Sequence, residues 1–461
     1  MSKRRVLAAI LAVASLATHQ LRAQDDTGGK ADKPKKGQSL EQRIDEIDQR
    51  SLILQRLWEN KQDDDAAKVK DGAKVTANGK DGFSFKSNDG AFALRIGGYL
   101  QVDSRNYVRD RQYRGADTFL IRRARLDLRG TVFQVADFRL VPSFDSGVGG
   151  IQEGYLDLKF LQGLAVRGGK FKSPIGLERL QSSADILFVE TGLATNLTPN
   201  YDTGSGLWGD LLGNRISYNF SLVNGSPDNT TLDADNNKSK EGAGRVFFTP
   251  FGNDWNLLKG IGFGVGGSYG HEDGTSAATT FKTVGQLTAF SYGAAVQARG
   301  RHIRIDPQAY WYIGAFGVQG EYIRSSQDLI NATTIAASKI VRRISLEAWQ
   351  VQASYVLGGT PSYKSVTPKH NFDPTHGTWG ALELAARWNV FVAEGEAFNQ
   401  GFVAGATTAR RINSAGIGFN WHLAKGLKLQ NDYDLSDFKG RTTNTFRLTE
   451  RFLSTRLQVA F

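Results

Sequence analysis

Basic side chains suited to binding anions are concentrated between residues 95 and 179. Arginine presents a planar fork of N–H donors that matches phosphate oxygens, and lysine presents a point charge. We expect an anion to contact five of these side chains directly, namely Arg123, Arg125, Lys170, Lys172 and Arg179. Five more would line the path of that anion, namely Arg95, Arg129, Arg139, Lys159 and Arg167. The alternative is that these are ordinary solvated residues, often paired with acids.

The spacing of these residues indicates which of them point the same way. Successive side chains of a β-strand alternate between its two faces, so Arg123 and Arg125 should point together. Lys170 and Lys172 should also face together if their strand persists that far. Arg122 falls on the opposite face by strict alternation, which predicts that it lies at a membrane boundary or beside a bulge.

The elements that position these residues are strands running from about residue 91 to Phe461. Apolar and polar residues alternate over this range, and residues 452–461 keep the pattern up to a terminal aromatic residue. A free apolar edge strand invites aggregation, whereas a closed barrel has no edge and satisfies its backbone inside a membrane. We therefore predict an all-β fold, a transmembrane antiparallel β-barrel of about sixteen strands spanning 91–461. An edge strand of a soluble sandwich is the alternative for the last stretch.

The connectors between strands alternate between short and long, as expected for short periplasmic turns and long outer loops. The connector at 359–376 breaks this pattern, because it is long where a short turn is due. Either it folds into the mouth of the lumen, or the strand count is wrong by two.

The N-terminal ninety residues predict export and a short helix. Residues 1–23 have a basic start and an apolar run too short to span a bilayer, which is the pattern of a cleaved signal peptide. Residues 24–37 and 61–90 are predicted linkers. Residues 38–60 carry a heptad seam, which predicts a coiled-coil helix. A single amphipathic helix lying on the barrel is the alternative.

Composition narrows the classes of function. The chain of 461 residues has no Cys, which excludes disulfides, thiolate metal ligands and a Cys nucleophile. The net charge of +11 suits nucleic acid, anionic lipid or an anionic solute, and an exported barrel argues against nucleic acid. His370 and His376 form only a weak metal signal. We predict no enzyme activity, no cofactor and no bound metal.

Several segments resemble the phosphate-selective porin O and P family. They are F-L-I-R-R-A-R-L-D-L-R-G at 119–130, G-K-F-K-S-P-I-G-L-E at 169–178, P-Q-A-Y-W-Y at 307–312, A-W-Q-V-Q-A-S-Y-V-L at 348–357 and G-A-L-E-L-A-A-R-W at 380–388. The resemblance covers about residues 91–461. It implies a homotrimer of sixteen-stranded barrels in the outer membrane of a Gram-negative bacterium, in contact with its lipid.

The resemblance also implies a function, the passage of inorganic phosphate, polyphosphate or other small anions. It implies that the long connector starting at Lys172 folds inward and narrows the pore. Asp127 lies beside the basic row and departs from a purely cationic wall. The alternatives are a general porin, or one for another solute, without phosphate specificity, and a structural outer-membrane tether that uses its coiled coil.

Overall fold

The computed structural model describes residues 40–461 except 72–73, 79–81, 109–114, 146–148, 162, 236, 252–256, 278, 334–339, 405–407 and 441–448. The predicted signal peptide at 1–23 and linker at 24–37 lie outside the described residues. Contacts divide the chain into two units, residues 1–71 and 72–461.

Sixteen antiparallel strands in the described part of the second unit form a closed barrel. They are β1 (Ala93–Tyr107), β2 (Thr118–Val132), β3 (Ala136–Ser143), β4 (Gly150–Leu161), β5 (Leu164–Phe171), β6 (Asp202–Leu211), β7 (Ile216–Val223), β8 (Glu241–Phe248), β9 (Ile261–Ser276), β10 (Val296–Ile313), β11 (Phe316–Asn331), β12 (Arg342–Leu357), β13 (Ala381–Ala393), β14 (Arg411–Ala424), β15 (Leu427–Lys439) and β16 (Thr449–Ala460). Each strand pairs with the next, and β16 pairs with β1. The predicted fold class and strand number are confirmed.

The last strand shows how the alternation closes the barrel. Leu453 and Leu457 lie on the outer face and are 38% and 53% exposed, whereas Ser454 and Arg456 on the inner face are 1% and 0% exposed. After the strand ends, the N–H of Phe461 donates to the carbonyl of Gly98 at 3.0 Å. The apolar outer face and polar inner face are those expected of a strand between lipid and an aqueous lumen.

The N-terminal unit contains one helix, α1 (Leu40–Asp71), in its described part. The helix continues eleven residues beyond the predicted boundary at 60. Residues 61–71 contain no Gly or Pro to end it, and their Lys and Ala residues favour helix. Its seam residues Ile44, Leu54 and Trp58 are 52–65% exposed. The coiled coil stays a prediction. Among the described helices, none is both long and apolar enough to cross a bilayer.

The prediction that residues 61–90 form a linker is also wrong for the residues that follow the helix. Residues Lys74–Asn78 and Gly82–Lys86 form an antiparallel hairpin, whose second strand pairs with the start of β1 through Phe83 and Ile96. Alternating apolar residues at Val75, Phe83 and Phe85 favour strands here. The hairpin therefore extends the sheet next to the first barrel strand.

An apolar core fills one side of the barrel at the end where the long loops lie. It joins the 3₁₀ helix Leu193–Leu197, the hairpin Thr280–Lys282 with Thr288–Ser291, the short helix Gly395–Asn399 and the inner wall. Phe290 at its centre is fully buried, and its ring centroid lies 5.3 Å from that of Phe281 and 5.7 Å from that of Phe391. Loop residues thus occupy part of the lumen and leave the polar space to the opposite wall.

The connector at 358–380 does fold inward, so the strand count needs no revision. Two short pairings stiffen it, Gly359–Thr360 with Thr367–Pro368 and Phe372–Asp373 with Thr378–Trp379. Its Tyr363 ring stacks on Tyr310 of β10 with centroids 5.1 Å apart. This connector joins β12 to β13 at the end of the barrel where the short turns lie.

Candidate functional site

A long loop, residues 172–201 between β5 and β6, lies inside the barrel and is anchored first on β10 and β11. The backbone N–H of Gly176 donates to Oδ2 of Asp306 at 2.7 Å. The N–H groups of Leu177 and Glu178 donate to the carboxylate of Glu321 at 2.5 and 3.2 Å. Two wall carboxylates therefore satisfy three consecutive loop donors, and we call this arrangement the carboxylate clamp. Backbone donors buried in this way need such partners.

The rest of this inward loop crosses to the opposite wall. The Gln101 side chain of β1 donates to the Ser183 carbonyl, and that of Gln458 of β16 donates to the Ala184 carbonyl, both at 2.9 Å. The 358–380 connector supports the loop as well, since the Tyr363 hydroxyl donates to the Leu177 carbonyl at 2.5 Å. The loop is therefore fixed at both walls and divides the lumen.

A polar cavity of about 330 Å³ lies on the long-loop side of the inward loop, and we call it the outer cavity. Its cationic lining residues are Arg122, Arg123, Arg125, Lys172, Arg179 and Lys282. Its acidic lining residues are Glu178 and Glu190. Cations in a space enclosed by protein create a positive potential that attracts anions.

A second polar cavity of about 250 Å³ lies on the short-turn side, and we call it the inner cavity. Its charged lining residues are Arg125, Arg129, Arg139, Lys172, Lys364, Glu153 and Asp185. Both cavities are lined by Arg125, Lys172, Gln181, Ser183 and Tyr201. Those five residues mark the junction of the two cavities between the inward loop and the wall.

The two cations at this junction are held differently. Arg125 is ion-paired with Asp145 and also donates to the Tyr99 hydroxyl at 2.9 Å. Lys172 donates to neutral acceptors, the carbonyls of Arg179 and Gln181, at 2.8 and 2.6 Å. Burial lowers the pKa of Lys172 to about 7. When its side chain is protonated, Lys172 is thus a cation whose charge a passing anion can compensate.

Arg179 also binds neutral acceptors. It donates to the Thr198 hydroxyl at 3.0 Å and to the Thr195 carbonyl at 2.8 Å. Arg123 donates to the Gln101 amide oxygen at 2.9 Å, and its nearest distance to the Glu190 carboxylate is 3.9 Å. Four of the five predicted contact residues therefore lie together around the outer cavity.

Lys170 is the exception. Its predicted common direction with Lys172 required the strand to persist to Lys172, and this condition is not met. The strand ends at Phe171, so alternation does not reach Lys172. The Lys170 ammonium donates to the Ile151 carbonyl at 2.8 Å and pairs with Asp233. It lines neither the outer nor the inner cavity.

The predicted pore-lining residues divide into two groups. Arg129 and Arg139 line the inner cavity, and both form ion pairs with Asp127, at N–O distances of 2.6 and 2.9 Å. The other three lie outside both cavities: Arg167 pairs with Asp157 at 2.7 Å, Lys159 pairs with Asp137 at 2.5 Å, and Arg95 lies across from Arg129 in the β1–β2 pair.

Strict alternation predicts Arg122 on the outward face, but in the structure it lines the outer cavity. In the β1–β2 pair, Gln101 faces Arg123 and the next residue, Val102, faces Ile121, so Arg122 is the extra residue of a β-bulge. The bulge turns Arg122 and Arg123 towards the lumen together. Of the two positions the sequence allowed for Arg122, the bulge is the one observed.

Other charged lining residues were not predicted either, among them Glu190, Lys282 and Lys364. These three lie between barrel strands, beyond the basic region at 95–179. A strand pattern cannot say where a loop side chain will point, so no sequence signal identified them. Among the described residues, no group of three or more His, Cys, Asp or Glu could hold a metal ion.

Comparison with known proteins gives the family. Residues 94–461 match the family model described as phosphate-selective porin O and P. The chain is 22% identical over 424 residues to Porin O of Pseudomonas aeruginosa, covering 85% of this chain and 93% of that protein.

Solved structures share the fold. The anion-selective porin from Comamonas acidovorans superposes with a TM-score of 0.51 at 12% identity, over 80% of this chain and all of that one. OmpT of Vibrio cholerae superposes with a TM-score of 0.51 at 12% identity, over 80% and 98% of the two chains. The protein is an outer-membrane porin of a Gram-negative bacterium. With its family model matched over four fifths of its length, the chain belongs to the phosphate-selective porin O and P family.

Proposed function

We propose that this porin is selective for small anions and that phosphate or polyphosphate is its preferred cargo. The observation that carries the proposal is the junction between the two cavities, where Lys172 is held by neutral carbonyls beside Arg125. An oxyanion there exchanges water for charge-assisted hydrogen bonds. Cations on both sides supply successive moderate sites, which conduction requires. On this proposal the protein is a channel and not an enzyme.

The path we propose runs through both cavities. An anion enters near Lys282, meets Arg122 and Arg123, passes Lys172 and leaves beside Lys364. Arginine binds phosphate through its fork of donors, and the lysines act as point charges along the way. Narrowing by the inward loop removes part of the water that would otherwise screen these charges.

One observation favours a general porin instead. Several lumen arginines are already paired with acids, as Arg125 is with Asp145 and Arg167 with Asp157. Paired arginines offer less net charge to a passing solute. On this alternative the wall is a balanced polar surface with a weak anion preference, and phosphate has no special affinity.

Block of chloride current by phosphate distinguishes these functions. Purified protein is reconstituted in planar bilayers with chloride, and phosphate is then added stepwise. We expect the chloride conductance to fall along a saturating curve, because phosphate occupies a site that chloride must cross. A conductance that changes only in proportion to the added salt would contradict phosphate selectivity and leave the general porin.

We also propose that the protein is a homotrimer held by its barrel walls, as the family resemblance implies. Deleting residues 40–71, the whole of α1, should leave the trimer intact in mild detergent, because a barrel wall offers a larger contact than a helix of this length. Size-exclusion chromatography with light scattering measures the mass. A monomeric deletion variant would instead assign assembly to the helix.

A further inference from the structure

Of the two described acids that line the outer cavity, Glu190 is the one bound by arginines, and the proposed path does not use it. Glu190 belongs to the inward loop, and its side chain is 3% exposed. Its Oε1 atom lies 2.6 Å from Nη2 of Arg105 and 2.6 Å from Nε of Arg122. Its Oε2 atom lies 3.2 Å from Nη2 of Arg122.

Two further guanidinium groups complete the surroundings of this carboxylate. Arg123 is 3.9 Å from it, and Arg456 is 3.6 Å from it. Arg456 has its own acid, because Asp103 binds it at 2.7 and 2.8 Å. Among the described residues, the side chains of this cluster are therefore four guanidinium groups, from β1, β2 and β16, and the carboxylates of Glu190 and Asp103. Of these two carboxylates, Glu190 lines the outer cavity and Asp103 does not.

The barrel wall holds the backbone on either side of this carboxylate. Arg387 of β13 donates to the Glu190 carbonyl at 2.7 Å, and the Val189 N–H donates to Asp432 of β15. Burial raises the pKa of Glu190, but the charges of Arg122 and Arg123 outweigh it and leave the pKa below its ordinary value. The carboxylate is therefore ionised and fixed in place at neutral pH.

We propose that Glu190 is the resident counter-anion of the outer cavity and sets how tightly the cavity binds a permeating oxyanion. The inference rests on the proposed anion selectivity and adds a specificity-determining residue to it. Arg122 lines the cavity and donates to Glu190, so an oxyanion there competes with Glu190 for the Arg122 donors. Arg123 also lines the cavity, and Glu190 at 3.9 Å offsets part of its charge. The competition weakens binding and speeds release, as a channel requires.

The second acid that lines the outer cavity, Glu178, has no such arginine contacts among these hydrogen bonds. Its oxygens accept from the side chains of Gln350 at 2.9 Å and Gln352 at 2.8 Å and from the Gly192 N–H at 2.8 Å. Glu178 thus fastens the loop through neutral donors. Glu190 is bound instead by charged donors, and one of them, Arg122, lines the cavity that an anion would occupy.

The test is the Glu190→Gln variant, which keeps the shape and removes the charge. We expect the phosphate concentration that halves the chloride conductance to fall about tenfold or more, because one negative charge close to several cations has been removed. The matched control is Asp157→Asn. It makes the same change in lumen charge, but at a buried acid that binds Arg167 outside both cavities. This control should leave the half-blocking concentration near that of the parent.

Two results would overturn the inference. A half-blocking phosphate concentration that is unchanged or higher in a folded Glu190→Gln variant would show that Glu190 only holds its arginines in place. Equal tightening in Asp157→Asn would show that only total charge matters. Either result overturns the inference. Retention of the barrel is checked by electrophoretic mobility with and without heating.

Two further measurements apply if Glu190→Gln does not fold or if phosphate does not block the parent. If Glu190→Gln does not fold, Glu190→Asp withdraws the carboxylate by one methylene and should tighten block partially, and no tightening overturns the inference. If phosphate does not block the parent at all, the proposed phosphate specificity has failed. The reversal potential in a potassium chloride gradient then decides, because Glu190→Gln should still raise the preference for chloride, and an unchanged potential overturns the inference.

Discussion

Replacing Lys172 by Glu is expected to abolish or reverse the anion preference of the pore, and replacing Lys170 by Glu is expected to leave it nearly unchanged. Lys172 lines both cavities at their junction, so at pH 6, where its side chain is mostly charged, the substitution reverses a charge that every ion on the proposed path passes. Two charges 4 Å apart interact by about 4 kcal/mol at an effective dielectric constant of 20. Since ~1.4 kcal/mol is a factor of ten, the permeability ratio of chloride to potassium should fall at least about tenfold.

Lys170 is the matched control for this measurement. It is two residues away, has the same charge and undergoes the same substitution, but it binds the Ile151 carbonyl and Asp233 and lines neither cavity. The reversal potential across a salt gradient is compared for the parent and both variants. A similar shift in both would mean that ions respond to the overall charge of the mouth. No shift in Lys172→Glu would show that the path lies elsewhere.

The same lysine predicts how selectivity depends on pH. Burial lowers the pKa of Lys172 to about 7, so the side chain is mostly charged at pH 6 and mostly neutral at pH 8. The anion preference of the parent should therefore decrease as pH rises through 7. In Lys172→Arg the guanidinium stays charged over this range, and this part of the pH dependence should disappear.

The barrel could be predicted from sequence because one pattern of residue types recurs in every strand and follows from the strand's surroundings. Each strand alternates apolar and polar residues, and a strand between lipid and water must do so. The exposed Leu453 and Leu457 and the buried Ser454 and Arg456 occupy the faces that the alternation gives them. A pattern repeated over sixteen strands tolerates local errors without changing the architecture.

The parts that could not be predicted are those where alternation stops. The bulge at Arg122, one of the two possibilities that the sequence allowed, inserts one residue and reverses the faces on one side of it, and no residue type in this stretch shows which possibility holds. Lys172 follows the end of its strand, and Glu190 lies in a loop whose course depends on the clamp and on distant wall residues. The charged residues were therefore predicted as a group, but their individual directions required the structure.

The carboxylate clamp of the inward loop is expected to set the width of the pore. In Glu321→Ala the loop should leave its position, the pore should widen, and single-channel conductance should rise while anion preference falls. The substitution removes the acceptor of the Leu177 and Glu178 N–H groups and of the Gln350 amide, which lies 2.6 Å from Glu321. Leaving a buried donor unpaired costs about 1–3 kcal/mol. The strand ladder is untouched, so the barrel should keep its resistance to unfolding in detergent.

Two variants show whether the clamp itself is responsible. Glu321→Gln retains one acceptor oxygen and should change conductance less than Glu321→Ala. Glu347→Ala removes a carboxylate of β12 that is 41% exposed and 3.6 Å from Arg324, so it should leave the conductance unchanged. If Glu321→Ala does not fold, Asp306→Ala removes the acceptor of the Gly176 N–H and tests the same clamp.

A folded clamp variant with the conductance and selectivity of the parent would mean that the remaining contacts fix the loop. The width of the pore would then be set by the loop's attachment to β1, β14 and β16, through the side chains that hold the carbonyls of Ser183, Ala184 and Leu187.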